Sequence, residues 1–349
     1  MKSVTALEAE AQALKTKLDS VALPPELKNK AQVMVDRLQL MTQFSGYSAE
    51  YERTAQYIEW IVNLPWDKSS EDKLDLNEAK KILDHHHYGM QHVKDRILEH
   101  LSIMTLNRGQ QSVSRAPILC LVGLVGTGKT TFGYSLAEAL GRKFVRIPFG
   151  GMGSARDLRG QSRLHPDAEP GWVIKAMRRA GTNNPILLLD EVDRVTVANR
   201  SDIMGVLVEL LDPEQNSLFT DHYLDYPFDL SNVLFLATAN NTRNIATAVL
   251  DRLEIIEMPS YTDDEKIIIA KTYMLPKILT EAGLTVDNLT IDETVWPKIV
   301  RPLGFDAGIR TLERTIEGVC RKLARLKIEG QGEHFHLTLD NIKNYLPNY

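Results

Sequence analysis

The chain has 349 residues, enough for about two domains of ordinary size. It carries 41 lysines and arginines against 46 aspartates and glutamates, which gives a formal net charge of −5. Apolar residues make up 43% and charged residues 25%, as in ordinary globular proteins. This composition excludes a disordered tail protein, a collagen-like repeat and a disulfide-rich scaffold. The mild acidity disfavours a dedicated nucleic-acid coat, which would show a strong basic excess.

Several features of the sequence predict a cytoplasmic location and no membrane partner. Cys120 and Cys320 lie far apart in apolar-periodic segments, so we interpret both as small core residues. Such low cysteine usage fits a reducing compartment. No apolar run approaches the length that crosses a bilayer, and residues 1–19 lack the hydrophobic block of a signal peptide.

Three amphipathic helices are predicted in residues 1–73. Apolar residues recur there at spacings of three and four, which is typical of a helix with one buried face. The predicted helices run through residues 4–18, 31–41 and 49–62. Helices this short are not stable alone, so we expect them to pack on the body of the protein or on another subunit. Residues 67–75 are polar and charged, which predicts a linker.

The second stretch, residues 74–259, alternates short apolar runs with helical patterns. Continuous apolar strands separated by helices indicate a parallel sheet covered on both faces. Aromatic residues mixed with aspartates in 219–230 predict a hairpin inserted before the fourth strand. The third stretch, residues 260–349, predicts helices with polar turns, so the expected fold class is α/β. The predicted strands cover residues 117–122, 143–148, 185–189, 232–238 and 253–258.

A glycine-rich segment after the first predicted strand fits the pattern G-x-x-x-x-G-K-[ST] and opens a helix. Glycines let backbone N–H groups turn inward around phosphate oxygens, and the helix N-terminus adds partial positive charge. Lys129 would supply a point charge to the β and γ phosphates, and Thr130 a hydroxyl ligand for Mg²⁺. The strand–loop–helix context disfavours the alternative, a glycine-rich turn with an accidental lysine. The segment comprises Gly123, Leu124, Val125, Gly126, Thr127, Gly128, Lys129 and Thr130, followed by Thr131.

Two acidic residues, Asp190 and Glu191, follow the apolar run of the third predicted strand. Unpaired charge beside a core is costly, so adjacent carboxylates at a buried strand end need a reason. Phosphoanhydride hydrolysis supplies one, with Asp190 holding Mg²⁺ through water and Glu191 polarising the attacking water. A solvated turn is the alternative. The guanine-specific motif N-K-x-D is absent from the sequence, so we expect ATP rather than GTP.

Three further polar residues complete the predicted site. Asn240 follows another strand, at the end where open α/β sheets bind ligands, and would orient the water opposite Glu191. Arg252 and Arg310 would each be able to stabilise charge that develops on a transferred phosphoryl group. Taken alone, an asparagine at this position usually starts a turn, and a single arginine is usually part of a surface ion pair.

Together these motifs resemble the AAA+ ATPase module of Lon-type ATP-dependent proteases over nearly the whole chain. The resemblance implies a P-loop AAA+ nucleotide-binding domain at residues 74–259, preceded by helices and followed by a small helical lid at 260–349. It also implies a homo-hexameric ring that binds Mg·ATP between subunits and acts on unfolded or damaged protein. Four further segments carry the resemblance: His87-Tyr88-Gly89-Met90, Leu210–Asn216, Asp221–Asp225 and Leu250-Asp251-Arg252.

The resemblance implies a role for each residue of the two phosphate motifs. Lys129 and Thr130 would be the Walker A pair. Asp190 and Glu191 would be the Walker B pair, and Asn240 would be sensor 1. The hairpin within residues 219–230 would be the insertion that this clade carries before sensor 1.

The resemblance also assigns residues outside these motifs. Arg252 would be the finger that acts on the neighbour's ATP, and Arg310 would be sensor 2 on the lid. His87, Tyr88 and Gly89 would lie near the adenine. The run of three histidines that ends at His87 is not expected to bind a metal, because consecutive side chains on a helix point in different directions.

The sequence departs from the family pattern in its phosphate loop and in its length. Leu124 and Val125 replace two prolines that are common in the family, at positions where the motif tolerates side chains. The chain ends at Tyr349, too soon for the Ser–Lys protease domain of the family, and most of the N-terminal recognition domain is also missing. We therefore expect no protease site in this chain, which would be either a fragment of a longer protein with an attached protease or a stand-alone ATPase; a protease domain in trans is one expected partner.

The loop that would grip substrate in the central pore departs as well. Aligning residues 160–166 with the family's loop places His165 and Pro166 where an aromatic and an aliphatic residue are expected. In the second pore loop, Asn199 falls where an aromatic is common. Gripping an unfolded chain relies on non-specific apolar contact, so weak or different gripping is the hypothesis. Trp172 would be a substitute, although packing of the next helix is its simpler role.

Three functions are compatible with these residues. The leading one is an ATPase that couples hydrolysis to remodelling or threading of protein, which the intact Glu191, Asn240 and Arg252 favour. The second is a scaffold that ATP assembles with little turnover, on DNA or a partner protease, which the altered pore loops favour. The third is a DNA-associated ATPase, which the net charge of −5 disfavours. The local basic patch that would suit DNA comprises Arg156, Arg159 and Arg163.

Overall fold

The computed structural model describes residues 4–44, 48–107, 117–301 and 308–347. Within these ranges the chain forms an N-terminal set of helices, a five-stranded α/β body and a C-terminal helical part, which confirms the α/β class. Among the helices of these ranges, none combines the length and the apolarity that crossing a membrane requires.

Three helices begin the chain, as the apolar spacing predicts: α1 (Val4–Ser20), α2 (Pro25–Phe44) and α3 (Ala49–Val62). Proline suits the first position of α2, because its fixed φ is helical and its missing N–H is not needed there. Ser48 caps α3 by accepting a hydrogen bond of 3.1 Å from the N–H of Tyr51. The helices bury their apolar stripes in a small core that includes Leu7, Leu18, Leu38 and Ile58.

Helix α3 packs on the α/β body as well as on the other N-terminal helices. Tyr57 and Ile61 belong to a core of the body, whereas the adjacent Ile58 and Val62 belong to the N-terminal core. The Tyr57 hydroxyl donates a hydrogen bond of 2.8 Å to the buried carbonyl of Leu224. Helix α3 therefore joins the two parts of the protein.

Residues 67–75 contain neither helix nor strand, as the sequence predicts for a linker. The segment is nevertheless fixed to the body. The Asp72 carboxylate accepts two hydrogen bonds from the Arg142 guanidinium, at 2.8 and 2.7 Å. The Asn184 side chain accepts from the N–H of Ser70 at 2.8 Å and donates to the Ser70 carbonyl at 2.8 Å. The linker is thus held on the surface of the body by hydrogen bonds.

Seven strands follow the predicted apolar runs and the predicted hairpin. Five of them form one parallel sheet, in the spatial order second, third, sixth, first and seventh strand. The fourth and fifth strands form an antiparallel hairpin. The strands are β1 (Ile118–Val122), β2 (Phe144–Pro148), β3 (Ile186–Asp190), β4 (Phe219–Asp221), β5 (Tyr226–Phe228), β6 (Leu234–Ala239) and β7 (Leu253–Glu257).

Helices cover both faces of the sheet, so its strands are apolar on both sides. Leu187 and Leu189 of β3 enter one core, whereas Ile186 and Leu188 enter the other. This double burial explains why the strands could be recognised as continuous apolar runs. The helices of the body are α4 (Leu76–His86), α5 (Gln91–Leu106), α6 (Lys129–Leu140), α7 (Ala155–Arg159), α8 (Trp172–Ala180), α9 (Arg200–Leu211) and α10 (Thr247–Leu250).

The C-terminal part packs its helices around a third core that includes Trp296 and Leu323. It also contains two short parallel strands that the sequence analysis does not predict, β8 (Leu289–Ile291) and β9 (Phe335–Leu337). Each strand has three residues, too few to show the alternation that identifies a strand. The helices are α11 (Asp263–Ile269), α12 (Leu275–Glu281), α13 (Trp296–Val300), α14 (Arg310–Ile328) and α15 (Ile342–Tyr345), with a π-helical turn at Ala270–Met274.

Both cysteines are buried free thiols, as predicted, with Cys120 in β1 and Cys320 in α14. Burial raises the pKa of Cys120 to about 12 and that of Cys320 to about 11. Both thiols therefore stay protonated near neutral pH and act as small apolar side chains in their cores.

The bond from Tyr57 to Leu224 allows a test of the contact between α3 and the body. Tyr57→Phe keeps the ring but leaves a buried carbonyl without its donor, which costs about 1–3 kcal/mol. We expect a lower unfolding midpoint in scanning calorimetry. Tyr134→Phe is the matched control, because Tyr134 is 56% exposed. An equal shift in both variants would show that the buried bond contributes nothing.

Candidate nucleotide-binding site

A cleft of about 450 Å³ opens between the carboxyl ends of the sheet strands and the start of α14. This edge of an open parallel sheet is where such folds bind ligands. Residues from both phosphate motifs reach the cleft, although they are far apart in the sequence. The lining comprises Val125, Gly126, Gly128, Lys129, Thr130, Thr131, Arg146, Asp190, Glu191, Asn240, Ile309, Arg310 and Glu313.

The glycine-rich segment forms the turn between β1 and α6. Gly126 and Gly128 have φ values of 84° and 93°, a backbone conformation that other residues rarely adopt. Gly128 is the N-cap of α6, so the helix begins at Lys129. The first N–H groups of a helix have no partner within it, and they carry partial positive charge. The start of α6 therefore offers donors and positive potential to an anion in the cleft.

The Lys129 ammonium lies inside the turn. It donates hydrogen bonds to the carbonyls of Gly123 at 2.6 Å and Leu124 at 3.0 Å, and to the Asn240 side-chain oxygen at 3.2 Å. Burial lowers the pKa of Lys129, and the charges of Asp190 and neighbouring carboxylates oppose that shift. The charge is thus held beside the phosphate loop by groups that an anionic ligand can replace.

The acidic pair ends β3, with the two carboxylates in different environments. Asp190 is buried, and its carboxylate accepts from the Arg146 Nε at 2.6 Å and from the Thr238 hydroxyl at 2.5 Å. Glu191 has a φ of 58°, which a non-glycine residue adopts only at a cost. Its N–H donates to the Thr238 hydroxyl at 2.9 Å, which fixes this strained turn.

Asn240 is held by a carboxylate on the neighbouring segment. Its N–H donates to Asp193 Oδ1 at 3.1 Å, and the N–H of Asn241 donates to Asp193 Oδ2 at 3.3 Å. The buried Asn240 Nδ2 has no hydrogen-bond acceptor among the residues that the structure describes. A buried amide donor without an acceptor is costly, so a polar ligand in the cleft would satisfy it.

The sequence motifs do not include Arg146, Asp193 and Thr238, whose side chains bind predicted residues of the site. Arg146 is a charged residue within the apolar run of β2, which is the one local signal that would have pointed to it. Thr238 and Asp193 give no such signal, because their partners come from other strands. All three act by binding the residues that the motifs do identify.

The helical part closes the cleft through direct contact with the phosphate loop. The N–H of Ile309 donates to the Gly126 carbonyl at 3.1 Å, and the adjacent Arg310 lines the cleft. A side chain at Gly308 would place its Cβ 2.5 Å from the Val125 carbonyl oxygen. Glycine is therefore required where the two backbones meet.

Arg252 does not line the cleft of its own chain. Its guanidinium donates to the Ala248 carbonyl and to Asp212 Oδ2, both at 2.8 Å. This bond with Arg252 is the main reason that the pKa of Asp212 is lowered. The structure thus gathers the other predicted charged residues around the cleft and leaves Arg252 apart.

His87, Tyr88 and Gly89 also lie outside the lining of the cleft, behind the start of α6. The His87 ring stacks on Phe132, with centroids 3.6 Å apart, and its Nε2 lies 2.9 Å from the Ser135 hydroxyl. Burial lowers the pKa of His87 to about 3, so the ring is neutral. Gly89 has a φ of 65°.

The expectation that the consecutive histidines point apart is wrong for two of them. His86 Nδ1 lies 3.0 Å from the same Ser135 hydroxyl that His87 contacts. The reason is that α4 ends at His86, and His87 follows with extended backbone, so the helical geometry no longer separates the two rings. Within the described ranges, no group of three or more His, Cys, Asp or Glu side chains is arranged to hold a metal ion.

The two predicted pore loops lie away from the cleft, and their apolar residues are displaced from the expected positions. His165 and Pro166 are exposed, but the preceding Leu164 is 90% exposed and is the apolar residue at this tip. In the second loop, Asn199 is half-buried, and Val197 is 79% exposed. Sequence alignment by motif position therefore misses one exposed aliphatic residue in each loop.

Two family models match the chain. Residues 119–261 match the ATPase family associated with various cellular activities (AAA), and residues 280–335 match the Lon protease AAA+ ATPase lid domain. The chain belongs to the AAA family of ATPases. Within that family its lid and its relatives identify it as an ATPase module of the Lon type.

Curated relatives agree with this assignment. The Lon protease of Lawsonia intracellularis is 46% identical over 339 residues, which cover 97% of this chain and 40% of that protein. The Lon protease of Escherichia coli is 42% identical over 338 residues, covering 97% of this chain and 42% of that protein. Lon protease 2 of Thermus thermophilus is 42% identical over 347 residues, covering 97% and 43%. The chain thus spans about two fifths of the length of these relatives.

The residues around the cleft fit a magnesium nucleotide. Thr130 and Asp190 offer the oxygen ligands that Mg²⁺ prefers, and Mg²⁺ is usually held by one or two carboxylates together with substrate phosphates. The glycine turn, the helix start and the Lys129 ammonium fit the phosphates, and the unsatisfied Asn240 amide fits a polar group beside them.

The contact between Gly308 and the phosphate loop predicts a specific effect on nucleotide binding. Gly308→Ala forces the two backbones apart, because its Cβ would lie 2.5 Å from a carbonyl oxygen. We expect affinity for a fluorescent ATP analogue to fall by about tenfold, equivalent to about 1.4 kcal/mol. Gly205→Ala, in α9 with open space around it, is the control and should bind normally. Equal affinity in both variants would contradict a role for this contact.

Proposed function

We propose that this chain binds Mg·ATP and hydrolyses it as the motor module of an ATP-dependent, protein-threading machine. The observation that carries the proposal is the convergence of Lys129, Asp190, Glu191, Asn240 and Arg310 on one cleft. Phosphoanhydride hydrolysis requires a turn that binds the phosphates, a carboxylate that holds the metal and a second acid that activates water. All three are found around this cleft.

In this proposal each polar or charged residue of the cleft has a separate role. Lys129 exchanges its bonds to the loop carbonyls for bonds to the phosphates, and Arg310 offsets charge on the γ-phosphate. Thr130 and Asp190 would hold Mg²⁺, which would supply positive charge against the negative charge that develops on the phosphates. Glu191 accepts a proton from the attacking water, and the Asn240 amide orients that water.

We propose further that six copies form a ring and that each cleft is completed by the next copy. The support is that Arg252 lies outside its own cleft, while the Asp212 carboxylate holds its guanidinium in a defined position. An arginine supplied by a neighbouring subunit is a common device for stabilising phosphoryl transfer. In the ring, Arg252 would reach the γ-phosphate bound by the adjacent subunit.

The substrate that we propose is unfolded or damaged protein. The relatives are named proteases, and two loops of this chain present the exposed aliphatic side chains of Leu164 and Val197. Apolar tips of this kind fit non-specific contact with an extended polypeptide. The threaded chain would pass to a protease domain, in a longer form of this protein or in trans, in the cytoplasm that the cysteine usage suggests.

Turnover measured against protein concentration tests the proposal. We expect the ATPase rate per subunit to rise steeply with concentration, because subunits complete each other's clefts. Unfolded casein should raise it further. Glu191→Gln should bind ATP without turning it over, which separates hydrolysis from binding. Bound ATP with no turnover at any concentration would instead favour a scaffold.

Subunit mixing tests the shared cleft. Arg252→Ala should bind ATP but not hydrolyse it, and Lys129→Ala should lose nucleotide binding. In a mixture, an intact Lys129 cleft can receive Arg252 from a Lys129→Ala neighbour, so partial activity should return. The measurement is ATP hydrolysis across mixing ratios. Failure to recover any activity would contradict a cleft built from two subunits.

A further inference from the structure

The loop at residues 161–170 faces helix α3, with which it lines a pocket of about 320 Å³. It follows α7 and precedes α8, and Gly160 and Gly171 flank it. The N–H of Gln161 donates to the Glu169 carbonyl at 3.1 Å, so the two arms close on each other. The tip carries Leu164, which is 90% exposed. The loop therefore has a closed base, which we call the neck, at Gly160, Gln161, Glu169 and Gly171.

A buried carboxylate lies at this neck. Asp221, the last residue of β4, is fully buried. Its Oδ2 accepts a hydrogen bond of 2.7 Å from the N–H of Gly171, at the start of α8. Its Oδ1 accepts from the N–H groups of Tyr223 at 2.8 Å and Leu224 at 3.1 Å, within the hairpin turn. One oxygen thus serves the hairpin, and the other holds the loop.

The neck has no space for side chains. A Cβ at Gly160 would lie 2.8 Å from both Asp221 carboxylate oxygens, and a Cβ at Gly171 would lie 2.0 Å from the Leu158 carbonyl oxygen. Gly160 also has a φ of 73°, which favours glycine. The two glycines are therefore required for the backbone to close around the carboxylate.

Keeping a charge at this position is costly. Burial raises the pKa of Asp221 to about 6, although three backbone N–H groups favour the ionised form. The charge of Lys175 also favours the ionised form, although the Lys175 ammonium is paired with Glu169 at 2.5 Å. A neutral oxygen would suffice for the hairpin turn, since such turns need a single acceptor. The second carboxylate oxygen is the part that only the loop requires.

Helix α3 connects the same hairpin to the first half of the loop through Tyr57. The Arg163 guanidinium lies 3.6 Å from the centroid of the Tyr57 ring, and the Tyr57 hydroxyl donates to the Leu224 carbonyl. Arg163 is the residue immediately before the exposed Leu164. The neck and one arm of the loop are thus both fixed to the turn between β4 and β5.

We propose that Asp221 is a positioning residue for the loop at residues 161–170, which we call the substrate loop: its carboxylate binds the N–H of Gly171 and packs closely against Gly160, so that the loop is held in one position for an unfolded protein chain. This inference rests on the proposed threading function and adds to it the residue that sets the direction of the gripping tip. The hairpin is then the support of the loop as well as an insertion before β6.

The substitution Asp221→Asn distinguishes the roles of the two carboxylate oxygens. The amide oxygen can keep the bonds to Tyr223 and Leu224, whereas the amide NH₂ faces the Gly171 N–H and cannot accept from it. Asp225→Asn is the matched control in the same turn. The Asp225 side chain is 69% exposed, its ion pair with Lys30 spans 3.3 Å, and its φ of 50° suits asparagine.

Two measurements on the full chain decide the matter. The first is amide hydrogen exchange at Gly171, which we expect to be faster by about tenfold in Asp221→Asn because a charge-assisted bond is lost. The N–H of Gly123, bonded to the Ala239 carbonyl in the sheet, is the internal reference. The second is the casein concentration that half-maximally stimulates ATP hydrolysis. It should rise by about fivefold or more, with a smaller change in the maximal rate.

The outcomes are distinct. Unchanged exchange at Gly171 overturns the proposal, and so does faster exchange with wild-type casein dependence. A wild-type protein that casein does not stimulate would overturn the threading function, and the exchange result would still decide whether Asp221 holds the loop. Should Asp221→Asn not fold, the wild-type protein decides: its Gly171 amide should exchange about tenfold more slowly than the tip amides, and equal rates overturn the proposal.

Discussion

The nucleotide cleft depends on the pairing of β6 with β1 on one side and with β3 on the other. The register places Val122 beside Ala239 and Leu189 beside Ala237, so three strands end together. The pairing continues past the strands, because the N–H of Gly123 donates to the Ala239 carbonyl. The Thr238 hydroxyl then joins β6 to Asp190. A shift of one residue in this register would separate the phosphate loop from the acidic pair.

The sequence predicts those parts of the fold and site that local patterns define. The five sheet strands are continuous apolar runs because helices cover both faces, and the glycine turn is recognisable because its backbone excludes most other residues. The residues that hold the motif residues in place are less predictable. The contacts of Arg146, Asp193 and Thr238 form only when distant strands pair. No spacing pattern in the sequence indicates such contacts.

The structural features that the sequence analysis did not predict correctly have similar causes. The strands β8 and β9 are too short for a period to show, and the paired contact of His86 and His87 with one hydroxyl arises because a helix ends between them. The exposed Leu164 could not be inferred from the expected aromatic position one residue later. In each case the outcome depends on where an element ends or which way a loop turns, which side-chain periodicity does not determine.

The cleft and the substrate loop are neighbours along the chain as well as in the proposed function. Strand β2 carries Arg146, bonded to Asp190, and the N–H of Phe149 donates to the Asp190 carbonyl at 2.9 Å. From there a short segment and α7 lead directly to Gly160. One continuous segment, residues 146–160, thus binds Asp190 at its start and forms part of the neck of the loop at its end.

Helix α3 has a different consequence, which concerns how the protein unfolds. Its side chains alternate between two cores, with Tyr57 and Ile61 in one and Ile58 and Val62 in the other. A helix with two buried faces cannot leave one core without disturbing the other. The N-terminal helices should therefore melt together with the sheet in a single cooperative transition, so this segment belongs to the same folding unit as the α/β body that follows it.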